Sequence, residues 1–169
     1  MELIAIYDNN ANKTDKTVDI NISDDELSND EHIGISLIYI ENNDNKFLIQ
    51  KTSLQKGNRY SMTSGHIRHN ETSKEAIIRE AKEELGIDIS KEKIIDLGHI
   101  LVDYPVRFIF YLKKNININD IKLNKNEVES VCYKSIDEIK AIIESGQMHK
   151  AHLELIKVIE KYRYGVKNE

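Results

Sequence analysis

Residues 65–87, GHIRHNETSKEAIIREAKEELGI, constrain this chain more than any other stretch. Glu71, Glu75, Glu80, Glu83 and Glu84 crowd around one arginine, Arg79, and the run closes on Gly86. Thr72 followed three residues later by Glu75 is a capping box, which satisfies two orphan amides at a helix start. Gly86 stands where a left-handed residue ends a helix. Between them Ile77, Ala81 and Leu85 recur at four-residue spacing, with Ile78 beside them, so a helix over residues 72–85 has one apolar face. Glu80, Glu83 and Glu84 stand at i, i+3 and i+4 and share one patch next to that face. Ala76, one turn earlier on the acidic side, is expected to leave room for a ligand.

Such a density of carboxylates repels itself unless a cation is present. A solvated acidic helix face is the other reading of such a run. Here, however, the acidic patch is unbalanced and is not interleaved as Glu–Lys pairs. Hard divalent ions, Mg²⁺ or Mn²⁺, take oxygen ligands and complete their shell with water and substrate phosphate. Arg79 is placed to pair with a neighbouring glutamate, Glu71 to brace the loop before the helix, and Gly65 to let the backbone approach a metal or phosphate closely. The stretch points to metal-assisted chemistry on phosphates.

The pattern resembles the signature of the Nudix hydrolases: Gly, five residues, Glu, seven residues, Arg-Glu, an apolar residue, any residue, Glu-Glu, any residue, Gly and an apolar residue. Gly65, Glu71, Arg79, Glu80, Ala81, Glu83, Glu84, Gly86 and Ile87 fill those positions in turn. The resemblance implies an α/β fold, an α/β/α sandwich with a mixed central sheet. It also implies cleavage of a diphosphate bond in a nucleoside diphosphate linked to another group. By the same resemblance Glu80, Glu83 and Glu84 are metal ligands, the Gly65 carbonyl is a further candidate ligand, and Arg79 orients Glu80.

The N-terminal layout, IYDNN, then His32 before an apolar strand, then FLIQK, is similar to Nudix relatives of isopentenyl-diphosphate isomerase. That subgroup uses histidines at such positions as metal ligands, so His32 and His66 are either ligands or ordinary strand-edge and loop side chains. It also carries a catalytic cysteine just before the Gly-His pair, where this chain has Ser64. An isomerase-like enzyme and a non-catalytic nucleotide-sensing module are therefore the alternatives to a hydrolase. An acidic helix that docks a basic partner is a third.

Nudix-like sites usually recruit another acid from a later loop. Glu127 and Glu129 flank Val128 and can face one side of an emerging strand. Glu127 is then a metal ligand, the base that activates water, or a solvated loop acid; the base is Glu80 or Glu127. Tyr104 and Arg107 could meet a nucleobase and a phosphate, but a turn tyrosine and an edge arginine are the simpler reading. Lys51, Lys56 and Arg59 are candidate phosphate contacts by their sign alone.

With 169 residues, the chain is expected to form one domain, with residues 1–31 as an N-terminal extension. A net charge of -5 argues against nucleic acid or an anionic membrane as a partner. The expected partner is a small nucleoside diphosphate derivative; a homodimer is left open. The single cysteine, Cys132, cannot form an internal disulfide and reads as a structural thiol in a cytoplasmic protein. No basic-then-apolar leader pattern is evident at the start. Strands are expected over residues 2–7, 17–22, 33–40, 46–51 (as a hairpin with the preceding strand), 59–63, 94–102, 106–112 and 128–134. Helices are expected over 135–145 and 151–164, the last with Leu153, Ile156, Ile159 and Tyr162 near one face.

Overall fold

The apolar run expected around residues 33–40 is the axis of the molecule. In the computed structural model, which describes residues 1–165, it forms β3 (His32–Glu41). Leu37 to Ile40 are each at most 2% exposed, as befits a strand covered on both faces. Along one side β3 pairs in parallel with β8 (Val106–Lys113), from Gly34↔Val106 to Glu41↔Lys113. Along the other it pairs antiparallel first with β1 (Leu3–Tyr7) and then with β6 (Thr63–His66). β2 (Lys13–Asp19) flanks β1, and β7 (Ile95–Leu101) flanks β8. β4 (Phe47–Thr52) carries β5 (Tyr60–Ser61) and β9 (Val128–Lys134).

Alternation along these strands sends two apolar sets to opposite faces. Ile38, Ile40, Leu48, Phe110 and Leu112 pack against Ile77, Ala81 and Leu85 of α1 (Ser73–Leu85). Leu37, Tyr39, Phe47, Ile49 and Ile109 pack against α2 (Ile136–Glu144) and α3 (Ala151–Tyr164). The result is the expected α/β/α sandwich. Burial of a large apolar side chain such as Ile77 or Leu85 contributes about 1.5–3 kcal/mol, so α1 is fixed by its apolar stripe and its acidic side is free for chemistry. The capping box of Thr72 with Glu75 forms, and α2 opens on a second, Ser135 with Glu138. Gly86 adopts the left-handed conformation, with φ 66°.

Several expectations need correction. β4 does not return along β3 as a hairpin; after one registered pair, Glu41↔Phe47, it pairs with β9 instead. β2 begins at Lys13, because Asp8 accepts from the Asn10 and Asn12 amides and closes a tight turn. In α3 the buried face is Ala151, Leu155, Ile156 and Ile159, while Leu153 and Tyr162 are exposed. Ala76 is fully buried against Ala5, Tyr7, Ile67 and Val106, so it makes room for the core and not for a ligand.

Candidate active site

The register of β6 on β3 places the first element of the site. Gly65 lies opposite Ser36, on the face covered by α1, and a Cβ at Gly65 would overlap the Glu80 carboxyl group. Glycine is required here by space, since only a bare Cα lets the helix carboxylate reach the strand. His66 and Ser64 flank it on the opposite face of the sheet, opposite Ile35 and Leu37.

Arg79 organises the carboxylates. Its Nε and Nη2 donate to the two oxygens of Glu71 at 3.0 and 2.6 Å. Its Nη1 donates to Glu80 at 2.7 Å and to Glu83 at 3.2 Å, and Nη2 also donates to the His66 carbonyl at 3.0 Å. The guanidinium has five N–H donors, and this arrangement uses all of them. Arg79 thereby ties the loop before α1 to the acidic face of α1. Glu71 closes the same loop by accepting from the Arg68 amide at 2.9 Å.

Glu84 sits apart from Arg79. It is only 9% exposed and accepts from Gln50 Nε2 at 2.7 Å, while Gln50 Oε1 accepts from Thr63. Burial pushes the Glu84 carboxyl up to about 8, against the Gln50 hydrogen bond, and the charges of Glu80 and Glu127 add to the rise. Burial also raises Glu80, although Arg79 opposes the shift. Burial pushes Glu71 up as well, but hydrogen bonds from Arg79 and from the Arg68 amide, with both arginine charges, hold it below the usual carboxylate range. Two neighbouring carboxyls, one buried and one half-buried, both raised, form an oxygen-donor set poised to gain from a cation.

Gly65, Arg79, Glu80, Glu83 and Glu84 line a cleft of ≈ 540 Å³, which also collects Lys56, Arg68, His66, Glu2 and Glu127. Five of its carboxylates, on Glu2, Glu80, Glu83, Glu84 and Glu127, face three cationic side chains, on Lys56, Arg68 and Arg79. Glu127 is 40% exposed and lies 3.5 Å from Lys56. Among the described residues no three His, Cys, Asp or Glu side chains converge as a ready ligand set. In this arrangement Arg79 draws Glu80 and Glu83, and Gln50 takes Glu84. All-oxygen chemistry, the bare Cα of Gly65 and the raised carboxyls fit a hard divalent ion once these side chains turn toward it.

Gly65, Arg79, Glu80, Glu83 and Glu84 line this cleft, and Glu71 braces it through Arg79. Glu129 does neither: it is exposed on β9 beyond the cleft. His32 is buried elsewhere, with its ring nitrogens 2.9 Å from the Tyr104 carbonyl and 2.6 Å from Asn9 Oδ1. His66 lines the cleft, and burial pushes its imidazole down toward the neutral form. Tyr104 bonds the Asp24 carbonyl and Arg107 the Val102 carbonyl, both away from the cleft. Of the three cations chosen by sign, only Lys56 reaches it; Lys51 lies over the Tyr60 ring and Arg59 bonds the Gly146 carbonyl. Cys132 lies opposite Ile49 on β9, away from the cleft, where burial raises its thiol. Gln50, Arg68 and Glu2 were missed. A glutamine inside the apolar run FLIQK was the one legible sign of Gln50.

A family model described as NUDIX domain matches residues 30–158. No curated protein sequence matches the chain. Among solved structures, DR0079 from Deinococcus radiodurans superposes with a TM-score of 0.72 at 16% identity, over 86% of this chain and 91% of that one. The NUDIX domain of Shewanella oneidensis NrtR, complexed with ADP ribose, gives 0.63 at 12% identity over 84% and 94%. A C. elegans Ap4A hydrolase in a binary complex gives 0.60 at 18% identity over 79% and 98%. At these identities the likeness is one of fold. No helix among the described residues is long and apolar enough to cross a membrane.

Proposed function

The chain belongs to the Nudix domain family, and from that premise we propose that it is a metal-dependent hydrolase that cleaves a diphosphate bridge in a nucleoside diphosphate linked to another group. The observation that carries this reading is a pair of carboxyls on one face of α1 at the cleft: Glu84, which is buried, and Glu80, which is half-buried and lies against the bare Cα of Gly65. Holding a second carboxyl beside a buried one at an open cleft costs the fold free energy. A site built for a cation offsets that cost. The ADP ribose bound by the Shewanella oneidensis domain and the Ap4A named for the C. elegans hydrolase support a nucleoside diphosphate as the substrate class.

Glu80, Glu83 and Glu84 hold the ion, with the Gly65 carbonyl as a further ligand. Mg²⁺ or Mn²⁺, when bound, supplies charge neutralisation at the phosphoryl oxygens and acidifies a bound water. Arg79 acts through Glu80 and Glu83, fixing their carboxylates from one side while Glu71 fixes Arg79. Glu127 takes the proton of the attacking water. Of the cleft carboxylates, Glu80 and Glu83 are bonded to Arg79, Glu84 to Gln50 and Glu2 to Arg68, whereas Glu127 is bonded to none of these and is open to solvent. Lys56, beside Glu127, contacts substrate phosphate. Attack is in line on phosphorus, and most of the barrier reduction comes from positioning and electrostatics.

An isomerase chemistry that uses a thiol has no candidate here. Ser64 occupies the strand position next to Gly65, and Cys132 is outside the cleft. The test is phosphate-product release from nucleotide sugars, ADP-ribose, dinucleoside polyphosphates, nucleoside triphosphates and isoprenoid diphosphates, with Mg²⁺ and with chelator. The expected result is Mg²⁺-dependent cleavage of at least one nucleoside diphosphate derivative. Absence of cleavage across the panel, with binding of a nucleotide retained, would instead support the sensing module.

A further inference from the structure

The family model starts at residue 30, so the hairpin β1–β2 stands outside it. That hairpin nonetheless forms one wall of the cleft, through Glu2 and Ile20. It is fastened to the loop that leads into α1: the Ala5 amide donates to the Ile67 carbonyl at 3.0 Å, the His69 amide donates to the Leu3 carbonyl at 3.1 Å, and Ile4 pairs with Arg68. Ile4, Ala5 and Ile6 are at most 1% exposed, so the hairpin is packed into the body of the protein.

Arg68 is where this wall meets the carboxylates. Its Nε donates to Glu2 Oε1 at 3.0 Å, and its Nη2 lies 3.8 Å from Glu83 Oε1. Arg79 and Arg68 thus differ in kind. Arg79 has all five donors engaged and its side chain is 16% exposed. Arg68 has one donor engaged, its side chain is 36% exposed, and its remaining N–H groups have no hydrogen-bond acceptor among the described residues. A half-open guanidinium aimed into a cleft, anchored by one edge, presents the planar fork that suits a phosphate group.

We infer that Arg68 binds a phosphate group of the substrate's diphosphate bridge and that Glu2, through its bond to Nε, positions Arg68 for that contact. The N-terminal hairpin is thereby part of the substrate site. This inference rests on the diphosphate reading above. Glu2 is a positioning residue: it acts by holding the anchored edge of Arg68.

The test uses the full chain with Arg68→Gln, Arg68→Lys and Glu2→Gln; deletion of the hairpin is unsuitable because its core residues are buried. Two readouts are taken: steady-state kinetics with a diphosphate the enzyme cleaves, and calorimetric binding of α,β-methylene-ADP with Mg²⁺. That probe carries a P–C–P bridge that is not hydrolysed. Loss of a charge-assisted contact predicts about a tenfold rise in KM and in probe Kd for Arg68→Gln. The value of kcat stays within about threefold, as for an interaction made equally in ground and transition states. Arg68→Lys recovers part of the loss, and Glu2→Gln gives a smaller rise. An Arg68→Gln protein with a lowered melting temperature but unchanged KM and Kd would overturn the inference and leave Arg68 as a brace. If the parent cleaves nothing, the proposed hydrolysis fails. The probe arm then decides the inference alone: tenfold weaker binding in Arg68→Gln supports it, and unchanged or undetectable binding in the parent and variant overturns it.

Discussion

Gly65 and Glu80 occupy the same space: the position where a Cβ would stand on residue 65 is filled by the Glu80 carboxyl group. The strand therefore carries a glycine so that a helix carboxylate can lie against its backbone. Gly65→Ala forces Glu80 aside. The obstructing atoms are the far end of a flexible side chain, so the fold should survive with a loss of only about 1 kcal/mol. Turnover should fall at least about a hundredfold, because a misplaced ligand or orienting group costs far more in rate than in stability. Parallel chemical denaturation and kinetics check both halves. An active Gly65→Ala protein would show that Glu80 need not lie there.

The stretch of residues 65–87 was the most legible part of the molecule. Its helix, both caps, the apolar stripe Ile77–Ala81–Leu85 and the braces Glu71 and Arg79 follow from spacing alone, because each is a local property of one helix and its entry loop. What lay across the sheet was not legible. Gln50 meets Glu84 only because β4 abandons β3 for β9, and no local pattern announces that change of partner. Glu2 and Arg68 meet only because β1 runs beside residues 67–69. Ala76 was misread because the helix was considered without the hairpin that covers it. Glu84 is buried where Gln50 of β4 meets it.

Glu84 gives the metal-free protein a pH-dependent stability. Its folded-state carboxyl is raised by burial from 4.5 to about 8, and Glu80 is raised in the same direction. A raised folded pKa contributes stability that is complete below the unfolded value and is lost as pH rises through the folded one. The melting temperature in chelator should therefore decline between about pH 4.5 and 8. Glu84→Gln keeps an oxygen to accept from Gln50 and removes the charge. It should flatten that decline and match or exceed the parent at pH 8, while losing most turnover. A parent curve that instead climbs across this window would contradict the burial argument.

Arg79→Lys retains a positive charge and loses the fork. Glu71, with its side chain 11% exposed, keeps its bond from the Arg68 amide but loses the two-pronged contact with Arg79, and Glu80 and Glu83 lose their shared donor. Breaking a largely buried ion cluster should cost about 3 kcal/mol in urea denaturation. The rate should fall even at saturating Mg²⁺, since the carboxylates are no longer held. Unchanged stability would mean that the cluster is not formed in solution.

Mg²⁺ or Mn²⁺ should raise the melting temperature of the parent by mass action, since only the folded state assembles the three carboxylates. Glu80→Ala combined with Glu84→Ala should abolish the response. A double variant that still responds as the parent does would place the ion elsewhere.

The most direct test of the central claim is hydrolysis of the cleaved diphosphate in ¹⁸O-labelled water, with Mg²⁺, followed by mass spectrometry of both products. Direct attack of water on phosphorus predicts one labelled phosphate-bearing product and one unlabelled, with no label on carbon and no reaction in chelator. Label found only on carbon, equal cleavage without any divalent ion, or isomerisation of isopentenyl diphosphate with no hydrolysis would contradict it.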